Sequence, residues 1–208
     1  MDLVEAISTQ RAIRRLRPDP VDDAVVLRII ELALKAPTGG NAQGCEFIVV
    51  RSAAVKSALG AQNRRAWAVA RRLYRLRARG ADAGKIIDAV SWQADHWDEI
   101  PVLVVACLRG VPWPVPWLYR ASRYGSVYPA VQNLLLAARA EGLGATLTTL
   151  PLWNRRAVRR ILRVPRDVEP VACIPLGWPL GRYGPTTRKP VGSVTHLDAY
   201  GNRPWGQS

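Results

Sequence analysis

The chain has 208 residues, 49% of them hydrophobic, and its 30 Lys and Arg against 16 Asp and Glu give a formal charge of +14. That length and apolar content suffice for one sizeable core and exclude an intrinsically disordered chain. No apolar run approaches the roughly 20 residues of a membrane span, and the start, with Asp2 and Glu5, lacks the apolar stretch of a secretory signal, so a cytoplasmic protein without a membrane partner is expected.

Residues 2–9 read as a short helix with Leu3, Val4 and Ile7 on one side. A basic cluster, Gln10-Arg11-Ala12-Ile13-Arg14-Arg15-Leu16, follows, and Arg17-Pro18-Asp19-Pro20 is a turn. Asp22 is placed to cap a helix reaching about Lys35, with Val26, Ile29, Ile30 and Ala33 at helical spacing. Pro37 and two glycines end that pattern, and residues 46–51 read as a buried strand. Two helices are expected at 53–60 and 62–79, the second strongly basic, and another at 83–97. Pro101 opens a β-branched run over 102–108 that reads as a second buried strand. Pro112, Pro114 and Pro116 then predict an extended loop over 111–119 that carries aromatic side chains.

Residues 126–141 carry Val127, Val131, Leu134, Leu135 and Ala138 at helical spacing, and Gly142 fits a left-handed cap. Strands are expected at 145–150 and 171–176, with a helix at 154–163 between them. Beyond Gly177 some thirty residues show no periodicity. Such a tail is either disordered or an arm laid on a partner subunit. There is no internal repeat and no linker, so residues 1–208 read as a single domain of α+β or three-layer type.

Cys45, Cys107 and Cys173 each lie in or beside an apolar stretch, which suits buried thiols in a reducing compartment. No metal-ligand spacing connects them to His96 or His196, and no Ser-His-Asp or Cys-His arrangement is present. From Arg51 to Arg79 there are nine basic residues and no acidic one, and Arg155, Arg156, Arg159, Arg160, Arg163 and Arg166 form a second cluster. Solvated helix faces explain these better than a nucleic-acid footprint. The segment Ala36-Pro37-Thr38-Gly39-Gly40-Asn41-Ala42-Gln43 combines glycines, which let a backbone approach a ligand, with amide and hydroxyl groups of both polarities. A polar heteroaromatic ring is the kind of partner that needs such an edge. Arg11 and Arg14, three apart, share a face on a helical or turn segment, and guanidinium groups grip phosphate oxygens in pairs.

The order of these segments is a basic cluster, P-T-G-G-N-x-Q, the run Gln132-Asn133-Leu134-Leu135-Leu136-Ala137-Ala138-Arg139, Gly142-Leu143-Gly144, and Thr186-Thr187-Arg188-Lys189-Pro190. Over roughly residues 5–200 this resembles the nitroreductase family of FMN-dependent flavoenzymes. The resemblance implies a homodimer with a mixed or antiparallel central sheet flanked by helices, a C-terminal arm of about 178–208 exchanged between subunits, and FMN at the interface. It places the FMN phosphate on Arg11, Arg14 and Arg188, with Ala12 standing where relatives commonly carry a donating Ser, and Gln10 or Arg15 available to compensate. It brings Pro37, Thr38 and Gly39 to the flavin from the partner subunit, with Asn41 and Gln43 lining the same pocket, and turns the backbone of 145–150, including Thr148, Thr149 and Leu150, toward flavin N5 and O4. Many relatives have an acidic residue near Thr149, which here is neutral. Trp113, Trp117, Tyr119 and Tyr124 would meet a flat substrate. The implied activity is ping-pong transfer of electrons from NAD(P)H through flavin N5 to a nitroaromatic, quinone or similar acceptor, with no catalytic side chain required. A flavin-binding protein without turnover, and an Arg-rich nucleic-acid binder, are the alternatives.

Overall fold

A computed structural model describes residues 1–77, 83–110 and 117–206. In chain order the elements are α1 (Leu3–Thr9), α2 (Asp23–Ala33), β1 (Cys45–Val50), α3 (Ala53–Arg77), α4 (Ala83–Asp95), β2 (Val102–Arg109), α5 (Trp117–Ala140), β3 (Gly144–Ala145), α6 (Arg155–Leu162) and β4 (Val168–Gly177). The strands form one antiparallel sheet in the order β1-β2-β4-β3.

Strand β2 lies inside the sheet and is fully buried from Val102 to Cys107. Its side chains alternate. Val102, Val104, Ala106 and Leu108 join Val26 and Ile29 of α2 and Val127, Val131 and Leu134 of α5. Leu103, Val105 and Cys107 join Leu59 of α3, Val158 of α6 and Trp97 on the other face. Helices cover both faces, so the strand reads as continuous apolar sequence rather than as the alternation of a half-solvated antiparallel sheet. The result is the three-layer α+β architecture expected from the sequence, with an all-antiparallel sheet.

Several elements differ from expectation. Helix α1 is capped by the Asp2 carboxylate, which accepts from the Glu5 N–H at 2.8 Å, but only Ala6 is buried. Leu3, Val4 and Ile7 face outward. The two helices expected at 53–60 and 62–79 are one. Gly60 does not break it, because an ideal Cβ there would lie 2.6 Å from Trp97 Cδ1, so glycine is kept for packing rather than for a turn. Helix α5 starts at Trp117 rather than near 126. It absorbs Pro129, whose missing N–H leaves only the bond to the Gly125 carbonyl unmade. Trp117 and Tyr119 are therefore helical rather than part of an extended loop, because a proline immediately ahead of a helix is compatible with its first turn. Residues 111–116, including Trp113, lie outside the described residues. The strand expected at 145–150 is only β3 plus one isolated bridge between Thr148 and Cys173.

The tail has no period in sequence, yet it forms specific contacts. Its first part pairs with the chain's own N-terminal segment. Arg17 N–H donates to the Trp178 carbonyl, Leu180 N–H to the Arg15 carbonyl and Thr186 N–H to the Ser8 carbonyl, at 2.8, 3.0 and 3.0 Å. Leu16 and Pro179 form an antiparallel bridge in the same register. The last part folds on itself. Leu197 and Asn202 bond through backbone and side chain, and the Trp205 carbonyl packs where a Gly192 side chain would stand.

Two outcomes follow from this packing. Gly60→Ala lowers the urea-unfolding free energy by about 1 kcal/mol, since overpacking against Trp97 outweighs the helix-propensity gain of alanine. Gly84→Ala, with open space around it, does not lower it. Burial also pushes the Cys107 thiol up to about 12, with the Glu46 charge adding to it, and raises the Cys173 thiol. Below the ordinary thiol range both states hold these protons, and above it only the unfolded chain releases them. Stability therefore falls as pH rises from about 8.5 toward 12, and a Cys107→Ala/Cys173→Ala variant shows a shallower fall in urea midpoint over that window.

Candidate cofactor site

The pairing of 8–17 with 178–188 gathers the two remote basic clusters. The pairing is recorded at Arg15–Arg17 with Trp178–Leu180 and again at Ser8 with Thr186, so Arg11 and Arg14 lie on the stretch between these two contacts. Arg188, two residues past Thr186, sits near the end of α1, because the Thr186 N–H and hydroxyl both donate to the Ser8 carbonyl. Ile13 N–H donates to the Ala145 carbonyl at 3.0 Å, which fixes the ribbon against β3. This contact explains the second glycine of the Gly142-Leu143-Gly144 motif. A Cβ on Gly144 would lie 2.7 Å from Leu16 and 2.8 Å from Ile13. Gly142, with φ +77°, is the left-handed cap of α5.

Arg139 of α5 braces the ribbon from beneath. Its Nε donates to Thr9 Oγ1 at 3.0 Å, and its guanidinium lies 4.2 Å from the Tyr183 ring centre. The Tyr183 hydroxyl donates to the Leu143 carbonyl at 2.5 Å, and burial holds its pKa up at about 12.

The cations on this ribbon are poorly neutralised. Arg11 is exposed and has no hydrogen bond or ion pair among the described residues. Arg14 is half-buried and likewise lacks a carboxylate. Burial lowers its guanidinium below its ordinary value, with the Tyr74 hydroxyl of α3 partly opposing, although a guanidinium stays charged throughout the physiological range. Arg188 bonds only the carbonyl of its neighbour Thr187. A partly desolvated arginine without an acidic partner is costly unless an anion completes it. Of the two groups able to compensate for Ala12, Arg15 lies over the Trp92 ring at 5.8 Å, which leaves Gln10.

The 37–43 loop is held in an unusual shape. Gly40, Asn41 and Gln43 have φ of +58°, +51° and +47°. Left-handed backbone at two non-glycine residues so close together stores about 1–2 kcal/mol each, and such strain gathers at ligand sites. The loop is over-determined by its bonds. Gln43 N–H donates to Thr38 Oγ1 at 3.1 Å, Gln43 Nε2 to Asn41 Oδ1 at 3.2 Å and Gly39 N–H to Ser126 Oγ of α5 at 3.1 Å. Thr38 is half-buried, while Pro37, Gly39, Asn41 and Gln43 are exposed. Ser126 gave no signal in the sequence, since nothing local marks a hydroxyl that supports a loop 87 residues away.

In the third segment, Thr148 exchanges two backbone bonds with Cys173, each 2.9 Å, and its hydroxyl accepts from the Leu150 N–H at 3.3 Å. Thr149 is exposed, and the chain then enters a short turn over Leu150–Leu152. Thr146 is buried and its hydroxyl lacks a partner among the described residues. Trp153, directly after the turn, is largely exposed. Neither was singled out from sequence.

Tyr124 is placed apart from this surface. Its hydroxyl donates to Glu169, which also pairs with Arg155, and its ring packs against the sheet. It is two residues from both Ser122 and Ser126, which lie against Gly39, and so projects from the opposite side of α5. Trp113 lies outside the described residues. The backbone puts Trp117 and Tyr119 in the first turn of α5. Among the described residues no His, Cys, Asp or Glu cluster could hold a metal, and none of the helices is long and apolar enough to cross a membrane.

The sequence pattern of the Nitroreductase family matches residues 7–178, and the chain belongs to that family. It is 32% identical to 5,6-dimethylbenzimidazole synthase of Rhodobacter capsulatus, over 85% of this chain and 83% of that protein. It is 30% identical to a putative NADH dehydrogenase/NAD(P)H nitroreductase of Methanothermobacter thermautotrophicus, over 86% and 78%. The fold is similar to that of a putative nitroreductase from Desulfovibrio desulfuricans solved in complex with FMN, with a TM-score of 0.69, 24% identity and coverage of 96% and 98%.

Gly144→Ala tests the ribbon's seat. It displaces the Ile13–Leu16 segment and with it Arg14, so it lowers the thermal midpoint and weakens anion binding together. Both changes are read from melting curves with and without added FMN.

Proposed function

We propose that the protein is an FMN-dependent oxidoreductase that passes electrons from NAD(P)H to a nitroaromatic, quinone or similar small acceptor. The observation that carries this reading is the ribbon of guanidinium groups without carboxylate partners, on a chain that also carries a strained, polar loop at 37–43. The residues present fit the cofactor. Arg11, Arg14 and Arg188 would hold its phosphate dianion through charge-assisted bonds. Pro37, Thr38, Gly39, Asn41 and Gln43 would border its ring, with the Asn41 and Gln43 amides offered to the polar edge. Thr148, Thr149 and Leu150 lie on the opposite loop, and the orphaned Thr146 hydroxyl is a further donor. When bound, FMN supplies the two-electron transfer that no side chain here can perform. The protein's part is to orient, to exclude water and to set the local field. With Thr149 neutral and cations on the ribbon, that field favours anionic partners.

Most of the 37–43 loop, and Leu147 and Thr149 of the 145–150 segment, are exposed on one chain, which supports a site completed by a second copy. Two other features point the same way. Leu3, Val4 and Ile7 of α1 form an outward apolar side, and β1 is a sheet edge whose outer side, away from β2, faces no strand among the described residues. Because 178–188 lies on its own chain, any exchange of the arm concerns the residues beyond it, among which Val191, Val194, Leu197 and Tyr200 are exposed.

The names of relatives include both a synthase and nitroreductases, so a flavoprotein that does not turn over NAD(P)H is the competing reading. An anaerobic absorbance spectrum separates the two. Flavin bands that bleach on addition of NADPH or NADH support the oxidoreductase, and bands that persist with both donors contradict it. Arg11→Ala weakens FMN binding by about 2–3 kcal/mol, the scale of one charge-assisted contact. Unchanged affinity in a flavin-fluorescence titration would place the phosphate elsewhere.

A further inference from the structure

The outer half of α3 is unlike every other helix of the chain. Residues 71–76 are exposed one after another, more than a full turn, with Tyr74 the residue of this stretch that turns back toward Trp67 and Arg14. Val69, Leu73 and Leu76, at i, i+4 and i+7, are 53%, 51% and 84% exposed and line up as an apolar stripe. Arg65 and Arg72 flank the stripe, and Arg71 and Arg75 continue the basic side. None of these four arginines has a carboxylate partner among the described residues. There is no Asp or Glu between Ser52 and Ala81. In α4, which packs against α3, Ile86 is exposed as well.

We propose that this half of α3 docks on the surface of an anionic lipid bilayer, with Val69, Leu73 and Leu76 in the headgroup boundary and the arginines on lipid phosphates. An amphipathic helix of this composition, on a molecule with a charge of +14, is what such a surface attracts. The other occupants fit less well. A second copy packed stripe to stripe would bring Arg65 and Arg72 of both copies to one seam with no carboxylate of this segment to neutralise them. Nucleic acid would engage the arginines but leaves the apolar stripe without a role. Absence of a membrane span is compatible with the proposal, because a helix lying on a bilayer needs one apolar side rather than twenty apolar residues. The inference is independent of the flavin reading.

The test is co-sedimentation of the full-length protein with vesicles of phosphatidylcholine alone and of phosphatidylcholine with phosphatidylglycerol. The expected result is binding to the anionic vesicles only. Leu73→Ser/Leu76→Ser reduces that binding about tenfold or more, and Arg71→Gln/Arg72→Gln/Arg75→Gln reduces it about a hundredfold, at roughly fivefold per arginine. All five side chains are solvent-exposed, and unchanged melting curves show that the variants fold. Three results overturn the proposal. One is no preference for anionic vesicles. Another is tight binding to duplex DNA that the leucine variant leaves unaltered. The third is a dimer that the leucine variant converts to monomer in sedimentation velocity, which would assign the stripe to a second copy.

Discussion

Three backbone hydrogen bonds, from Arg17 to Trp178, Leu180 to Arg15 and Thr186 to Ser8, hold the two ends of the chain side by side. Without them the N-terminal basic cluster and Arg188, from opposite ends of the chain, have no reason to lie along one ribbon. The ribbon is itself seated by the Ile13–Ala145 bond and by the close approach of Ile13 and Leu16 to Gly144. Residues that touch no ligand, Gly144, Arg139 and Tyr183 among them, therefore decide where the cations stand. Arg11, Arg14 and Arg188 on this ribbon have no carboxylate partner among the described residues, which leaves their charge electrostatically incomplete.

The second constraint is local strain. Asn41 and Gln43 hold left-handed backbone that glycine would adopt more easily. The side chains that cause the strain also satisfy the loop, since Gln43 donates to Asn41 and Thr38 accepts from the Gln43 backbone. The amides are thus held in place before a ligand arrives, which reduces the entropy lost on binding. Ser126 ties the same loop to α5, a helix anchored in the core by Val127, Val131 and Leu134. The loop is exposed, but it stands on a rigid element.

How far the sequence revealed this differs by element. The β2 run and the α2 helix with its Asp22 cap were readable, because a buried strand and an amphipathic helix leave strong local patterns. The Gly142 cap was readable for the same reason. The break expected between 60 and 62 was not real, because Gly60 answers to Trp97, 37 positions away, and no local rule reports that. Residues 145–150 carry a strand-like composition but form one bridge, since the chain turns at Leu150 into a short helical turn. The tail has no period at all, yet its first third pairs in register, using backbone groups that composition does not encode. The basic clusters, the P-T-G-G-N-x-Q segment and the T-L-T-T segment were visible as chemistry, and the seating of the N-terminal cluster on β3 and on the tail came only with the fold. Tyr124 looked suited to a substrate by its neighbourhood in sequence, and the helix phase turned it toward Glu169.

If the two basic clusters serve one anion, their contributions must be coupled. The most direct measurement is a double-mutant cycle on FMN affinity with Arg14→Gln, Arg188→Gln and the pair, by fluorescence titration at fixed ionic strength. One shared clamp predicts a coupling energy of about 0.5–3 kcal/mol between positions 14 and 188. Strictly additive losses, or affinity unchanged in all three variants, would contradict a site built by bringing the chain's ends together.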